Sequence, residues 1–382
     1  MLRFLTAGES HGKCLIGILE GMVSNLSIDV EDINKELERR QKGYGRGERM
    51  KIEKDKVEIL SGIRNGKTTG APISLLIENK DWENWKEFMD FKKKKEGKER
   101  YIPRPGHADL CGFLKYNYED LRNVIERASA RETAMRVAIG AICKKLLSEF
   151  NVRFYSRVKK IGKIEDEGSI EEIKKSYEKI ENSPVRCLSR EKEMMEEIDK
   201  AREKGDTIGG IFEIIVEGIC PGLGSYVHWE KRIDAKISYV LMSIPGVKGI
   251  EIGLGFGGSK LFGSEFHDEI FYKNKVYRKT NNSGGIEGGI TNGNDLWIKC
   301  FFKPIPTVKR GLLSFDIRDF KEKKYEYERS DICAVVPASI IGENLLAFIL
   351  ASEYIEKFAG DSLNDLKENY RIYIERIKKY WF

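Results

Sequence analysis

The sequence predicts an α+β fold in which strands surround long internal helices. Three observations carry this reading. Short apolar strand patterns recur along the chain, at 2–6, 14–19, 57–61, 73–77, 208–219 and 297–302. Two helical segments, 127–150 and 343–358, are too apolar or too rich in small residues to lie on a surface. No GxGxxG opens a helix after a strand, which sets aside a dinucleotide-binding fold.

With 382 residues the chain has room for a large core. A hydrophobic share of 41% and a charged share of 34% place it among globular proteins. No apolar run reads as long enough to cross a bilayer. The opening MLRFLTAGESHG lacks the apolar core of a signal peptide, so a cytoplasmic location is expected. Seven cysteines lie far apart with no CxxC pair, which argues against both zinc and a disulfide framework. The net charge of +6 is mildly basic. Its arginines fall beside Gly, Ser and His in short motifs, a pattern suited to a small, multiply anionic ligand.

In chain order, strand 2–6 runs into GESHG and strand 14–19 follows. Glycines on both sides leave His11 at a strand end; taken alone, this is also a hairpin turn with a solvated histidine. Asp29 caps a helix that carries Val30, Ile33 and Leu37 at helical spacing and stops at Gly43. Arg40 and Arg46 flank the glycine-rich loop that follows, so both can fork onto one anion. The alternative is favourable charge at a helix C-terminus. Strands 57–61 and 73–77 come next. Segment 81–100 has two tryptophans before four lysines, a solvated loop or a lid.

Then come RPGHAD, with Arg104 and His107, and ERASARETAMRV. Arg127 and Arg131 lie four apart at the expected start of helix 127–150, with Ser129 beside them, and a helix start favours anions. Glu132 and Arg136 read as an ion pair. Segment 152–161 alternates like an exposed strand. Segment 165–205 is highly charged, with two amphipathic helices, and reads as peripheral. Segment 233–242 has helical spacing, and 249–258 is a strand with glycine turns. His267, Asp268 and Glu269 are adjacent on a loop and cannot easily face one metal ion. Residues 281–293 read NNSGGIEGGITNG, a glycine density that suits backbone pressed against a flat or charged ligand. The motifs KPIPT and RSD precede the helix at 343–358, and 361–382 reads as a C-terminal helix. The chain 1–382 is expected to form a single domain.

Taken together, GESHG, RRQKGYGR, ILSGIRNGKTTGAPISLLIEN, RPGHAD, ERASARETAMRVAIGA, GGIEGGITNG, KPIPT and RSD resemble chorismate synthase, in the family's order and across residues 6 to about 340. The resemblance implies a sandwich with central helices between outer antiparallel β-sheets, assembled as a homotetramer. It implies a lyase that converts 5-enolpyruvylshikimate 3-phosphate to chorismate and phosphate by anti-1,4-elimination, the last step of the shikimate pathway. Reduced FMN would be the cofactor, with NADPH only indirectly as reductant, and no metal, nucleic acid or membrane partner.

By the same resemblance, Arg40, Arg46, Arg104 and Arg131, with Ser129, would hold the substrate's carboxylates and phosphate. His107 would protonate the departing phosphate, His11 would protonate or stabilise the reduced flavin ring, and Asp331 would act with the flavin as the base. FMN contacts would fall on Arg127, Ala128, Ser129, Pro245, Gly246, Gly288, Lys303, Pro304, Ile305, Pro306, Thr307 and Arg329. Many members of the family have GGGRSS where this chain has VIERAS, and RHDP where it has RSDI, so Ala128 lacks a hydroxyl. Two other readings compete. A flavin-dependent hydride-transfer enzyme predicts turnover with NADPH alone. A nucleic-acid binder using the lysine run predicts steep salt dependence but leaves GESHG and RPGHAD unexplained.

Overall fold

The computed structural model describes residues 2–47 and 53–381. Four antiparallel strands form a first sheet: β1 (Arg3–Ala7), β2 (Cys14–Glu20), β3 (Val57–Ser61) and β4 (Ile73–Glu78), in the order β1-β2-β4-β3. Alternation fixes which face is buried. Leu15, Gly17 and Leu19 of β2 and Ile73, Leu75 and Ile77 of β4 point inward. Leu5, Ile16, Ile18 and Leu60 remain exposed on the outer face.

A second antiparallel sheet combines β5 (Arg153–Ile161), β6 (Ile164–Glu165), β7 (Gly210–Glu217), β8 (Val247–Ile252) and β9 (Leu296–Phe302), in the order β8-β9-β7-β5-β6. Between the sheets lie α1 (Val30–Gln41), α3 (Thr133–Ser148) and α5 (Val335–Phe358). A short α2 (Arg122–Arg127) precedes α3. Helix α4 (Ile233–Met242) packs on α5 and β8, and α6 (Leu363–Trp381) closes the chain. One apolar cluster extends from Leu2 to Leu366.

Glycine sets the thickness of this sandwich at three successive interfaces. A Cβ on Gly17 of β2 would lie 2.5 Å from the sulfur of Met135 on α3. A Cβ on Gly140 of α3 would lie 2.4 Å from the Asn344 carbonyl oxygen on α5. A Cβ on Gly342 of α5 would lie 2.7 Å from the Phe212 ring on β7. The layers therefore approach more closely than any larger residue allows, and backbone meets backbone at the α3–α5 crossing.

Several expectations are corrected. The helix expected from Arg127 begins at Thr133. Ser129 is extended and its hydroxyl accepts from the Arg131 N–H, so the chain breaks and recaps there. Strand β5 is largely buried, because it pairs with β7 on one side and packs under α5. The helix expected at 343–358 begins at Val335, with Pro337 accommodated in its first turn. It thereby has the length and apolarity of a membrane span, contrary to the reading of the apolar runs, and 83% of its most apolar window is buried inside the sandwich. The charged segment carries three helices, at Ile170–Lys175, Tyr177–Asn182 and Glu191–Glu203, where two were expected. It also reaches inward: Glu181 pairs with Arg39 at 2.7 Å, and Arg39 in turn meets the buried Glu343 of α5 at 3.0 Å.

Gly140→Ala is expected to destabilise the fold by about 1–3 kcal/mol, because α3 and α5 must separate to admit the methyl group. Urea unfolding compared with the parent chain measures this. An unchanged midpoint would remove the close-packing account of the α3–α5 crossing.

Candidate active site

Five elements end at one edge of the sandwich. These are the C-terminus of α1, the turn between β1 and β2, the end of β4, the start of α3 and the segment before α5. Element ends leave backbone groups free for ligands, and here they bring motifs from the whole length of the chain together.

The first group is cationic. Arg131 is buried and places Nη1 2.5 Å from Asp55 Oδ1, and its Nε donates to Asn79 Oδ1 at 2.8 Å. Arg40 is buried against the same carboxylate, 3.5 Å from Asp55 Oδ2, and also donates to Thr133 Oγ1 and to the Ala130 carbonyl. Arg46 donates to the Arg40 carbonyl at 2.8 Å and pairs through Nε with Asp331 Oδ2 at 2.9 Å. Asp331 Oδ1 accepts from the Gly47 N–H at 2.6 Å. Burial pulls the Arg40 guanidinium down to about 10, with Arg46 and Arg131 adding to the effect against the opposing charge of Asp55. Three guanidiniums thus share a small volume, and Asp55 is the counter-charge common to two of them.

The second group surrounds His11. Its Nδ1 lies 2.8 Å from Glu126 Oε1, and its backbone N–H donates to Glu126 Oε2 at 2.8 Å. Its Nε2 stands 4.0 Å from Asp81 Oδ2, and Asp81 meets Arg329 at 3.4 Å. The Trp85 ring stacks on the imidazole with centroids 4.0 Å apart, and Lys98 lies over Trp85. The lysine-rich segment therefore covers His11 here. Asn79 connects the two groups by donating to the Gly12 carbonyl at 2.7 Å while accepting from Arg131. Burial would raise the Glu126 carboxyl, but the hydrogen bonds from His11 and the charge of Arg122 hold it below its usual range.

The third group is the RPGHAD turn. Asp109 is buried and accepts from Arg104 Nε at 2.8 Å, while His107 Nδ1 lies 2.6 Å from its other oxygen. Arg104 Nη2 also approaches His107 Nδ1, at 3.2 Å. One nitrogen cannot donate to Asp109 and accept from Arg104 together. The shorter, charge-assisted contact places the proton on Nδ1 and directs it to Asp109. Burial would raise Asp109, yet the hydrogen bonds and charges of His107 and Arg104 hold it well below the usual carboxylate range. A cavity of about 60 Å³, lined by Arg104, Asp109, Arg100, Ile125 and Glu328, lies between this group and the neighbours of His11.

The residues expected at a flavin divide into two sets. Arg104 donates to Thr307 Oγ1 at 3.1 Å, the Lys303 amine donates to the Gly106 carbonyl, and the Lys303 N–H donates to the Gly246 carbonyl at 2.9 Å. Pro245, Gly246 and the run Lys303, Pro304, Ile305, Pro306, Thr307 thus form one wall with the His107 turn. Arg127 is exposed at the β1 edge, where it donates to the Gly8 and Thr6 carbonyls, with Ala128 and Ser129 at the break behind it. That edge connects onward through Thr6, Glu132 and Arg136 to Ser243 at the end of α4; the Glu132–Arg136 pair is the one expected. Gly288 lies elsewhere. It sits in a hairpin turn whose neighbour Gly289 accepts from Ile233 at the opposite end of α4, about 15 Å of helix away from Pro245. Asp268, the middle residue of the His–Asp–Glu run, accepts from Thr280 and from the backbone of Asn282 and Ser283.

Arg127 and Arg131 do not share a helix face. The break at Ser129 sends one to the surface and the other into the interior. Asp55, Asn79, Asp81, Trp85 and Glu126 complete the site, although no motif singled them out by role. Trp85 had a signal as a tryptophan before the lysine run, and Asn79 and Glu126 stand at the ends of the motifs ILSGIRNGKTTGAPISLLIEN and ERASARETAMRVAIGA.

Comparison with known proteins gives one family. The profile for chorismate synthase matches residues 2–355. The chain is 52% identical over 393 residues to a chorismate synthase of Syntrophomonas wolfei, covering 100% of this chain and 98% of that one. It is 50% identical over 401 residues to a chorismate synthase of Aquifex aeolicus, covering 99% of each. A crystal structure of chorismate synthase matches with a TM-score of 0.81 and 42% identity over 99% of both chains.

Asp55→Asn is expected to cost about 3 kcal/mol, since it leaves Arg40 and Arg131 buried without their shared counter-charge. Added sulfate should restore part of the loss by entering between the guanidiniums. Thermal unfolding with and without sulfate measures both effects, and parent-like stability in the variant would contradict the assigned role of Asp55.

Proposed function

The chain belongs to the chorismate synthase family, and from that premise we propose how it converts 5-enolpyruvylshikimate 3-phosphate to chorismate and phosphate, the last step of the shikimate pathway. The observation that carries the reading is the convergence of Arg40, Arg46 and Arg131 beside two histidines, each held by a buried carboxylate. The substrate has two carboxylates and a phosphate. It replaces the internal carboxylates as partner of Arg40, Arg46, Arg104 and Arg131, with Ser129 assisting, and binding relieves the mutual repulsion of the guanidiniums.

His107 keeps its Nδ1 proton on Asp109, so the imidazolium, its charge balanced by Asp109, carries its second proton on Nε2 and delivers that proton to the departing phosphate. Asp331 is tied to Arg46 in the absence of substrate. When a substrate anion takes Arg46, the carboxylate is released to accept the proton removed from carbon. His11, with Nδ1 on Glu126, serves the cofactor from Nε2.

The donor set suits an anionic, flat cofactor. Arg127, Lys303 and Arg329 supply positive charge. Gly246 has φ of +99°, and its turn packs so closely on Phe302 that a Cβ would strike the ring. We assign reduced FMN to the wall formed by Arg127, Ala128, Ser129, Pro245, Gly246, Lys303, Pro304, Ile305, Pro306, Thr307 and Arg329. Gly288 is left out of this wall, since its hairpin meets the opposite end of α4. When bound, reduced FMN supplies and recovers the electron density that removal of an unactivated hydrogen requires. The reduced flavin comes from elsewhere, with NADPH only as an indirect reductant.

The chain is read as one domain, 1–382, of a cytoplasmic homotetramer that engages no nucleic acid and no membrane. Two separate exposed apolar faces support the tetramer. One is the outer face of the first sheet around Leu5, Ile16 and Ile18; the other set, Trp229, Tyr239, Phe256 and Phe262, is exposed on and around α4 and the segment after β8. Two different self-complementary faces are what a dihedral tetramer needs. Light scattering at micromolar concentration should give four times the chain mass, and a monomer would rule this assembly out.

The activity is tested anaerobically with dithionite-reduced FMN and 5-enolpyruvylshikimate 3-phosphate, following chorismate absorbance. Turnover is expected, and folded protein that makes no product would refute the reading. His107→Ala and His11→Ala should each lower kcat by roughly 10²- to 10⁴-fold while the fold persists. Near-parent turnover in both would remove their assigned roles.

A further inference from the structure

The carboxylate beneath His11 stands out among the buried charges, because it holds the residue in three ways at once. Glu126 Oε1 lies 2.8 Å from the ring Nδ1, and Oε2 lies 3.1 Å from it. Oε2 also accepts the His11 backbone N–H at 2.8 Å. The Glu126 carbonyl accepts the neighbouring Ser10 N–H at 3.0 Å. Main chain and side chain of the GESHG turn are therefore both referenced to one residue of α2.

The carboxylate is itself restrained. Arg122, one turn earlier, approaches Glu126 Oε1 at 3.4 Å and is anchored by Glu328 at 3.0 Å and by the Lys98 carbonyl at 2.7 Å. Trp85 closes one face of the imidazole. The charged groups around the ring are Glu126 and Arg122 from α2, Asp81 and Lys98 from the segment that covers it, and Arg329 beyond Asp81. Glu126 is the only one of these five within hydrogen-bond distance of a ring nitrogen.

We propose that Glu126 is a positioning residue for His11: it accepts the Nδ1 proton, fixes the ring in that tautomer, and so makes Nε2 the nitrogen through which His11 exchanges protons. The inference rests on the reading of His11 as the group that serves the reduced cofactor. A buried acceptor of this kind acts through orientation and tautomer, and does not itself become protonated. The Nε2 lone pair is then available in the neutral ring, and the imidazolium is balanced when Nε2 gains a proton. Without the carboxylate the neutral ring is free to carry its proton on Nε2, and the exchanging position is blocked in part of the population.

The test uses the full-length protein and Glu126→Gln, which keeps side-chain volume and removes the charge. The expected result is a fall in kcat of roughly 10- to 100-fold, part of what a positioned proton donor contributes, with KM for 5-enolpyruvylshikimate 3-phosphate within about twofold. On the His11→Ala background the same substitution should add no further loss, as expected of two residues acting as a unit. Nitrogen-15 spectra of the His11 ring give a reading that does not depend on turnover. The parent should hold a single Nδ1–H form, and Glu126→Gln a mixture of tautomers. Parent-like kcat in Glu126→Gln, an equal loss on both backgrounds, or an unchanged ring spectrum would each overturn the proposal. If His11→Ala alone keeps parent turnover, the cofactor role of His11 is what fails, and the ring spectrum still decides whether Glu126 sets the tautomer.

Discussion

Like charges held close together in a buried place must be compensated, and much of this structure answers that constraint. Arg40, Arg46 and Arg131 stand near one another at one edge of the sandwich. In the free protein they are kept soluble in the interior by Asp55 and Asp331. Those two carboxylates come from opposite ends of the chain, one before β3 and one before α5. The cluster is thus a set of ion pairs between arginines and carboxylates drawn from distant parts of the chain. This explains why so many arginines coexist with a modest net charge of +6. It also explains why Arg39 and Arg40, adjacent in sequence, have opposite duties. Arg39 turns into a structural cluster with Glu36, Glu181 and Glu343, whereas Arg40 turns to the site.

The frame that holds these groups is rigid for a separate reason. Gly17, Gly140 and Gly342 bring four layers into close contact, so the starts of α3 and α5 have little freedom to shift relative to β2. His11, Arg131 and Asp331 are attached to those three elements or to the turns beside them. Distances between these groups are consequently set by backbone packing. Preorganisation of this sort favours a reaction in which several charges must be met at once.

What was legible in the sequence follows from which kind of information each feature carries. Strands 57–61 and 73–77 and the helix at 233–242 were readable because burial imposes a period. His11, Arg46, Arg104 and His107 stood out in the sequence because they sit in glycine- or proline-marked turns, while Arg40 and Arg127 lie in helices. The start of α3 was misplaced because the pattern of small residues runs through Ser129 without interruption, and only the hydroxyl cap reveals the break. The burial of β5 was missed because its charged residues find partners inside: Arg157 pairs with the buried Asp166 and Glu213. Asp55 lies in no quoted motif, and Glu126, although it opens ERASARETAMRV, carries nothing in that motif that points to His11. Their partners Arg131 and His11 lie more than seventy positions away in sequence, and spacing along a chain cannot express that.

The position of α5 has a consequence for how the protein comes into being. This helix is the inner wall against which α1, α3 and the second sheet pack, yet it occupies residues 335–358 of a chain of 382. Synthesis runs from the N-terminus, so the first sheet, α1 and α3 emerge long before the surface they must bury against exists. Each exposes an apolar face while it waits. The core is therefore complete only once a segment apolar enough to suit a lipid bilayer takes its place between the layers that precede it in the chain.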